Sequence, residues 1–361
     1  MEFGLSTEQA QLQDAVDAML GRVCAVDRLR SGRGSSNFSA WASLVEAGVP
    51  GLLIGEENGG RGLGLFEAAL IAEKLGKHVA PSPFLSNCVL APIALRIAGA
   101  AEQRRRWLTA LASGEARAGV AITEWVSGAR DGASLAAADG RLTGSRLFAL
   151  DAEGADILIT VDNEGQLYLV EPDPAFVTVT PMPTIDITRN VSELRFDRAP
   201  AQALDASANG AALAAMRDAA WVMLAADDLG AGWSMIDQAV AYSHQRRQFG
   251  RAIGTFQAVK HMCATMAAEL EPARALIWYA AYAQDEKLAD APLVAAHAKA
   301  LLGEVGRFVA RTATEVHGGI GITDLLGLHY WFKRIGLDRQ LFGGPELARR
   351  HAARLQGLLA A

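Results

Sequence analysis

The sequence predicts an α+β fold, mostly α, in three blocks: an N-terminal helical domain over 1–115, a small central β-domain over 116–205 and a C-terminal helical domain over 206–361. Three observations carry this. From Ser6 to about Ser113 apolar residues recur at helical spacing. Between Gly119 and about Pro200, short β-prone runs alternate with turn chemistry. From about Asn209 onward, long helical patterns rich in Ala, Leu and Met return. A length of 361 residues accommodates two or three domains, each with its own core.

In chain order, Ser6 or Thr7 caps the first helix, and Leu12, Val16 and Leu20 then fall on one face. A Gly-rich connection, Gly48–Gly64, interrupts the helical pattern before it resumes at Leu65–Leu75. The β-prone runs are Leu142–Leu150, Ile157–Val161, Leu167–Val170, Val177–Val179 and Val191–Phe196, separated by DAEG, DNEG and EPDP. Runs this short and closely spaced predict a small antiparallel sandwich or barrel. In the last block Leu276–Ala283 and Leu293–Leu302 are apolar over wide faces. Such faces must be buried, and a partner subunit is the simplest cover.

Hydrophobic residues make up 51% of the chain and charged ones 20%, which excludes a largely disordered protein. The formal charge of −6 argues against nucleic acid as a partner, since phosphate binding needs clustered, uncompensated Lys and Arg. The densest basic run, Arg104, Arg105 and Arg106, reads as a solvated helix face. Cys24, Cys88 and Cys263 are odd in number and widely spaced, so neither a disulfide framework nor a CxxC zinc knuckle is expected. The polar N-terminus does not read as a signal peptide, and no run approaches the length of a membrane span. A cytoplasmic protein is the expectation, without membrane or nucleic-acid partners and without a metal site.

HExxH, GxSxG, P-loop and ExxH signatures are absent. Two C-terminal stretches remain. In YSHQRRQFGRAIGTFQAVKH, from Tyr242 to His261, Arg246, Arg247 and Arg251 crowd a helix end beside Phe249, with Gln257 at the next helix start. A cationic fork at a helix N-terminus suits an anion such as a pyrophosphate. The plainer reading is a charged interhelical turn with Phe249 and Phe256 as core anchors. In TEVHGGIGIT, from Thr314 to Thr323, the paired glycines either let a backbone approach a ligand or simply end a helix.

Together with LVEAGVPGLLIGEENGGRGLG and EQRRRWLTALASGEARAGVAITE, these stretches resemble the acyl-CoA dehydrogenase family along nearly the whole chain. The resemblance implies a C-terminal four-helix bundle that mediates oligomerisation, and FAD as cofactor. It also implies oxidation of the Cα–Cβ bond of an acyl-CoA thioester. A carboxylate whose pKa is raised by burial removes the α-proton, and the β-hydrogen leaves as hydride. In the family the flavin spans a subunit interface. Arg246, Gln248 and Phe249 match its Arg-x-x-Phe stretch, Gln257 its downstream Gln, and Gly318 and Gly319 its adenine-side glycines. Glu315 stands where Gln is usual, exchanging an amide donor for a negative charge. Thr123 matches the loop over the flavin, which here continues Glu124, Trp125.

The side that holds the flavin ring and the base is less well matched. One family base position is filled by Gly343, with Pro345 where a flavin-contacting Thr is usual, and the other by Ala220. The family's Trp-x-Thr strand reads Phe148, Ala149, Leu150. Asp227, two helical turns beyond Ala220, is a substitute candidate for the base; its plainer role is to pair with an Arg. Glu346 reads as an exposed helix-start acid. The pattern resembles the base-less chain of heteromeric bacterial members that act on steroid side chains and related bulky acyl groups. The leading expectation is a subunit completing a flavin site in trans for a homologous partner. The alternatives are a self-sufficient homo-oligomeric enzyme with a non-standard base, and a non-catalytic acyl-CoA-binding relative.

Overall fold

The computed structural model describes residues 4–31, 40–128 and 132–359; the expectations over 1–3, 32–39, 129–131 and 360–361 lie outside the described residues. Helices come first: α1 (Thr7–Val23), α2 (Val26–Ser31), α3 (Trp41–Glu46), α4 (Leu65–Lys77), α5 (Ala91–Ala98) and α6 (Ala101–Ser113). Ser6 caps α1, accepting from the Gln9 amide while the Gln9 side chain accepts from the Ser6 amide. Val16 and Leu20 are the buried residues of that helix. The Gly48–Gly64 connection is two short 3₁₀ turns, and a π-helical stretch, Phe84–Leu90, leads into α5.

The middle block holds β1 (Ala118–Ala121), α7 (Thr123–Ser127), β2 (Leu135–Ala138), β3 (Arg141–Leu150), β4 (Ile157–Val161), β5 (Leu167–Val170), β6 (Val177–Pro181), β7 (Val191–Pro200) and β8 (Gln202–Ala203). They form one sheet in the order β6-β7-β3-β1-β4-β5-β8, with β2 on β3. The purely antiparallel expectation needs correction, because β1 and β4 run parallel, Ala118 opposite Ile157 through Ala121 opposite Thr160. Side chains alternate between the faces. Ile157, Ile159, Leu167 and Leu169 join the main core, while Leu158, Tyr168, Leu194 and Phe196 build a second core.

The last block is α8 (Asn209–Gln245), a two-strand hairpin β9 (Arg247–Gln248) and β10 (Arg251–Ala252), then α9 (Gln257–Asp285), α10 (Ala291–His317), α11 (His329–Gln340) and α12 (Pro345–Leu355). Every residue of α8 from Asp218 to Gly232 is buried, as a helix surrounded on all sides requires. Its neighbours are α4, α5, α9, α10 and α11. Glycines permit the closest approach: a Cβ on Gly76 would stand 1.9 Å from the Asp227 carbonyl oxygen, and one on Gly230 1.7 Å from that of Glu73. No helix among the described residues is long and apolar enough to cross a membrane.

Candidate flavin-contact site

Two turns at the same end of the bundle carry the C-terminal candidate residues. Helix α8 stops at Gln245 and the chain folds into the β9–β10 hairpin, with Gln248 opposite Arg251 and Arg247 opposite Ala252. Phe249 and Gly250 form its tip, both left-handed at φ 52° and 78°. Left-handed backbone is costly for a phenylalanine, so this geometry is imposed by the hairpin. Phe249 is 92% exposed, which corrects its reading as a core anchor. Its ring meets only the edge of Phe256, 6.2 Å between centroids, and the Arg251 guanidinium covers Phe256 at 4.0 Å. The Ile253 amide donates to the Arg246 carbonyl at 2.8 Å, closing the hairpin base. The Arg246 side chain is exposed and makes no hydrogen bond or ion pair among the described residues, while its backbone amide donates to the Tyr242 carbonyl at 2.8 Å. Gln248 and Gln257 are exposed, Gln257 as the first residue of α9.

The second turn follows α10. Gly318 takes φ 62° and ψ −145°, a backbone state that a side chain disfavours. A Cβ on either Gly318 or Gly319 would meet nothing within 4 Å, so space lies open above both. Glu315 is exposed on the final turn of α10. The turns are joined by a ring stack: Tyr242 lies on His317 at 4.7 Å and 29°. His317 is buried, and its Nδ1–H donates to the Ala313 carbonyl at 2.8 Å. Burial pushes its pKa down, favouring the neutral ring.

Thr123 opens α7 and is 3% exposed, with an Oγ1 that finds no hydrogen-bond partner among the described residues. Glu124 beside it is committed: one carboxylate oxygen accepts from Arg146 at 2.9 Å and the other from the Leu147 amide at 2.8 Å. Ala220 is fully buried. Phe342 and Gly343 form a left-handed turn after α11, at φ 56° and 88°. The Trp221 indole N–H donates to the Phe342 carbonyl at 2.9 Å, packing this turn against α8.

Asp227 takes the plainer of its two expected roles, a pair with an arginine, inside a wider ionic network that the sequence does not announce. Arg334 donates to both its oxygens at 2.8 and 2.7 Å, and Arg189 stands 3.3 Å away. Arg189 also pairs with Asp338 at 2.6 Å, and Lys299 donates to the Asp338 carbonyl. Burial alone would raise the Asp227 carboxyl, but the two guanidiniums outweigh it and hold the group below the usual carboxylate range. A general base needs the opposite shift, so Asp227 as a substitute base is corrected to a structural anchor. Its neighbour Asp228 is pushed well up, first by burial and then by Asp338. The space left beside Asp227, Arg189, Arg334, Ser82, Phe84 and Leu224 is about 10 Å³, room for one water at most. Glu346, on the first turn of α12, pairs with Arg339 at 2.9 Å. A separate open groove of about 1400 Å³ runs between the starts of α1 and α4, α5 and the end of α9, and none of the candidate residues lines it.

Family models match both helical blocks: acyl-CoA dehydrogenase, N-terminal domain, over 6–115, and acyl-CoA dehydrogenase, C-terminal domain, over 211–356. Acyl-CoA dehydrogenase IpdE2 of Mycolicibacterium smegmatis is 31% identical over 345 residues, 94% of this chain and 96% of that protein. Among solved structures, the Tcur3481-Tcur3483 steroid ACAD G363A variant is similar at a TM-score of 0.85 and 29% identity, covering 97% of this chain and 98% of that one. The ChsE4-ChsE5 complex from Mycobacterium tuberculosis is similar at 0.88 and 26%, over the whole of both chains. The chain belongs to the acyl-CoA dehydrogenase family, a family of FAD-dependent oxidoreductases. The residues present fit a flavin dinucleotide: a free cation at Arg246, open backbone at Gly318 and Gly319, and an unsatisfied hydroxyl at Thr123.

Proposed function

We propose that this chain is an acyl-CoA dehydrogenase subunit that completes, in trans, the FAD site of a homologous partner subunit catalysing α,β-desaturation of an acyl-CoA. The observation that carries this is the hairpin tip, an aromatic ring 92% exposed on a conformationally costly turn. Burying that ring against a neighbour recovers apolar area that solvent now covers. Arg246 would face the pyrophosphate, and Gly318 and Gly319 would lie against the adenine side. FAD, when bound, supplies the hydride acceptor. The reading is supported from the other side by what Gly343 and Ala220 lack, since neither side chain takes a proton. The steroid and two-chain relatives favour a bulky acyl group and a heteromer.

The test is flavin content with and without the partner chain. Purified alone, this protein should be nearly colourless and turn over acyl-CoA poorly; co-purified with its partner it should be yellow and active. Full FAD occupancy and turnover from the isolated chain would sink the proposal. Thr123 favours one second reading, a self-sufficient homo-oligomer, because its free hydroxyl suits a flavin ring held within this chain. Bleaching of flavin by acyl-CoA in the isolated chain would select that reading.

A further inference from the structure

The two flavin-contacting turns belong to different helices, and their contacts lie far apart in sequence. Arg246 follows α8, whereas Gly318 and Gly319 follow α10. Both turns must hold a fixed separation if they are to grip one flexible dinucleotide in a single conformation. Helix ends are where backbone hydrogen bonding runs out and fraying begins, so something beyond the helices has to set that separation.

We infer that the Tyr242–His317 stack is a positioning pair that fixes the Arg246 hairpin relative to the Gly318–Gly319 turn. This rests on the reading of the two turns as a trans half-site. His317 is the last residue of α10, directly before Gly318, and Tyr242 lies one turn before Arg246. The rings are in face contact at 4.7 Å and bridge the two helix ends where the flavin-contacting segments depart. His317 is held by the Ala313 carbonyl of α10 and by the Gln238 backbone of α8, so its ring plane is set between the two helices and the stack on Tyr242 extends that link to the end of α8. The Tyr242 hydroxyl makes no hydrogen bond among the described residues, so the ring face rather than the polar tip makes the link. Downstream, Gly254 packs against Ser243, so a displacement of the end of α8 carries the hairpin with it. Neither ring touches the proposed dinucleotide contacts; both act through their neighbours.

The experiment measures FAD affinity of the assembled complex, apo-protein titrated with FAD by fluorescence quenching, for variants of Tyr242 and His317 and one control at Arg246. Tyr242→Ala should weaken FAD binding about tenfold, the scale of one aromatic contact. Tyr242→Phe should restore it, because the face is retained. His317→Ala should weaken binding at least as much, because it also removes the contact with Gln238, and the double variant should be no worse than His317→Ala, as expected of a coupled pair. Assembly with the partner and the thermal midpoint are measured alongside. FAD affinity of Tyr242→Ala within about twofold of the parent overturns the inference. Loss of FAD only together with loss of assembly or folding, in Tyr242→Ala and also in His317→Phe, which keeps a flat ring, overturns it as well. Arg246→Ala serves as the control on the underlying reading. If it leaves FAD affinity unchanged, the trans half-site itself fails. If it weakens binding while Tyr242→Ala does not, the positioning role alone fails.

Discussion

At the scale of single residues, Asp227 shows how the same carboxylate is read differently once its partners are known. In the sequence it is an acid two helical turns beyond Ala220, read as a candidate base or as a partner for an arginine. In the fold it is the counter-ion of Arg334, a residue 107 positions away, and no local pattern announces that pairing. Asp227→Asn should therefore act on stability, lowering it by about 3–5 kcal/mol because Arg334 is left buried with half a partner. Denaturant titration checks this, and a variant as stable as the parent would contradict it. Asp338 and Asp151, a buried acid at the end of β3 that accepts a hydrogen bond from the Ser86 hydroxyl, predict a pH response. Each is pushed up to about 7, burial being the largest cause. The unfolded chain releases those protons near pH 4, whereas the folded chain keeps them to about pH 7. Their contribution is therefore complete below about pH 4, declines as pH rises and is lost above about pH 7. Asp227 works in the other sense: its contribution is present above about pH 4 and lost as pH falls through its depressed pKa. The denaturation midpoint should be lower at pH 8 than at pH 5, and Asp151→Asn should shrink the difference. A flat profile would refute the assignment.

At the scale of elements, the strands divide by how their residues declare themselves. Leu167–Val170 and Ile157–Val161 are strands as read, since β-branched and aromatic side chains between turn-forming residues leave little alternative. Ala118–Ala121 and Leu135–Ala138 carry no such signal and become strands through pairing, the first in parallel with β4. Their alanines lean towards helix rather than strand, so the decision is tertiary. The hairpin is the converse case. Its arginines and phenylalanine were visible, yet the sequence left open whether Phe249 was core or contact, because exposure is not encoded in residue type. Phe249→Gly should leave folding stability unchanged or raise it by up to about 1 kcal/mol, since glycine accepts the left-handed turn. The same change should reduce FAD retention by the complex. Thermal midpoint and flavin content measured on one preparation test both halves. Where α4 crosses α8, Gly230→Ala should cost about 1–3 kcal/mol because its methyl would fall on the Glu73 carbonyl.

At the scale of the whole molecule, the buried ions tie together blocks that the sequence presents as separate. Arg189 lies between β6 and β7, Asp227 on α8, Asp338 on α11 and Lys299 on α10. Arg189 is thus one link from sheet to bundle, beside Arg334, which donates to the Thr188 hydroxyl of the same connection at 2.8 Å. Arg189→Met should split calorimetric unfolding into two transitions, the sheet melting before the helices. One unchanged transition would show that apolar packing alone holds the blocks together. The family assignment, the three-block order and the two C-terminal turns were legible because motif and periodicity are local. The ionic network was not, because burial brings together charges that are remote along the chain. The hairpin has one further consequence, for supply. A folded copy awaiting company presents water with a nearly bare aromatic ring on a short stalk, 92% of it uncovered. If the proposed two-chain assembly holds, copies made in excess of their counterpart would carry that ring unshielded, open to adhesion and clearance, and production of the two polypeptides would have to be kept in step.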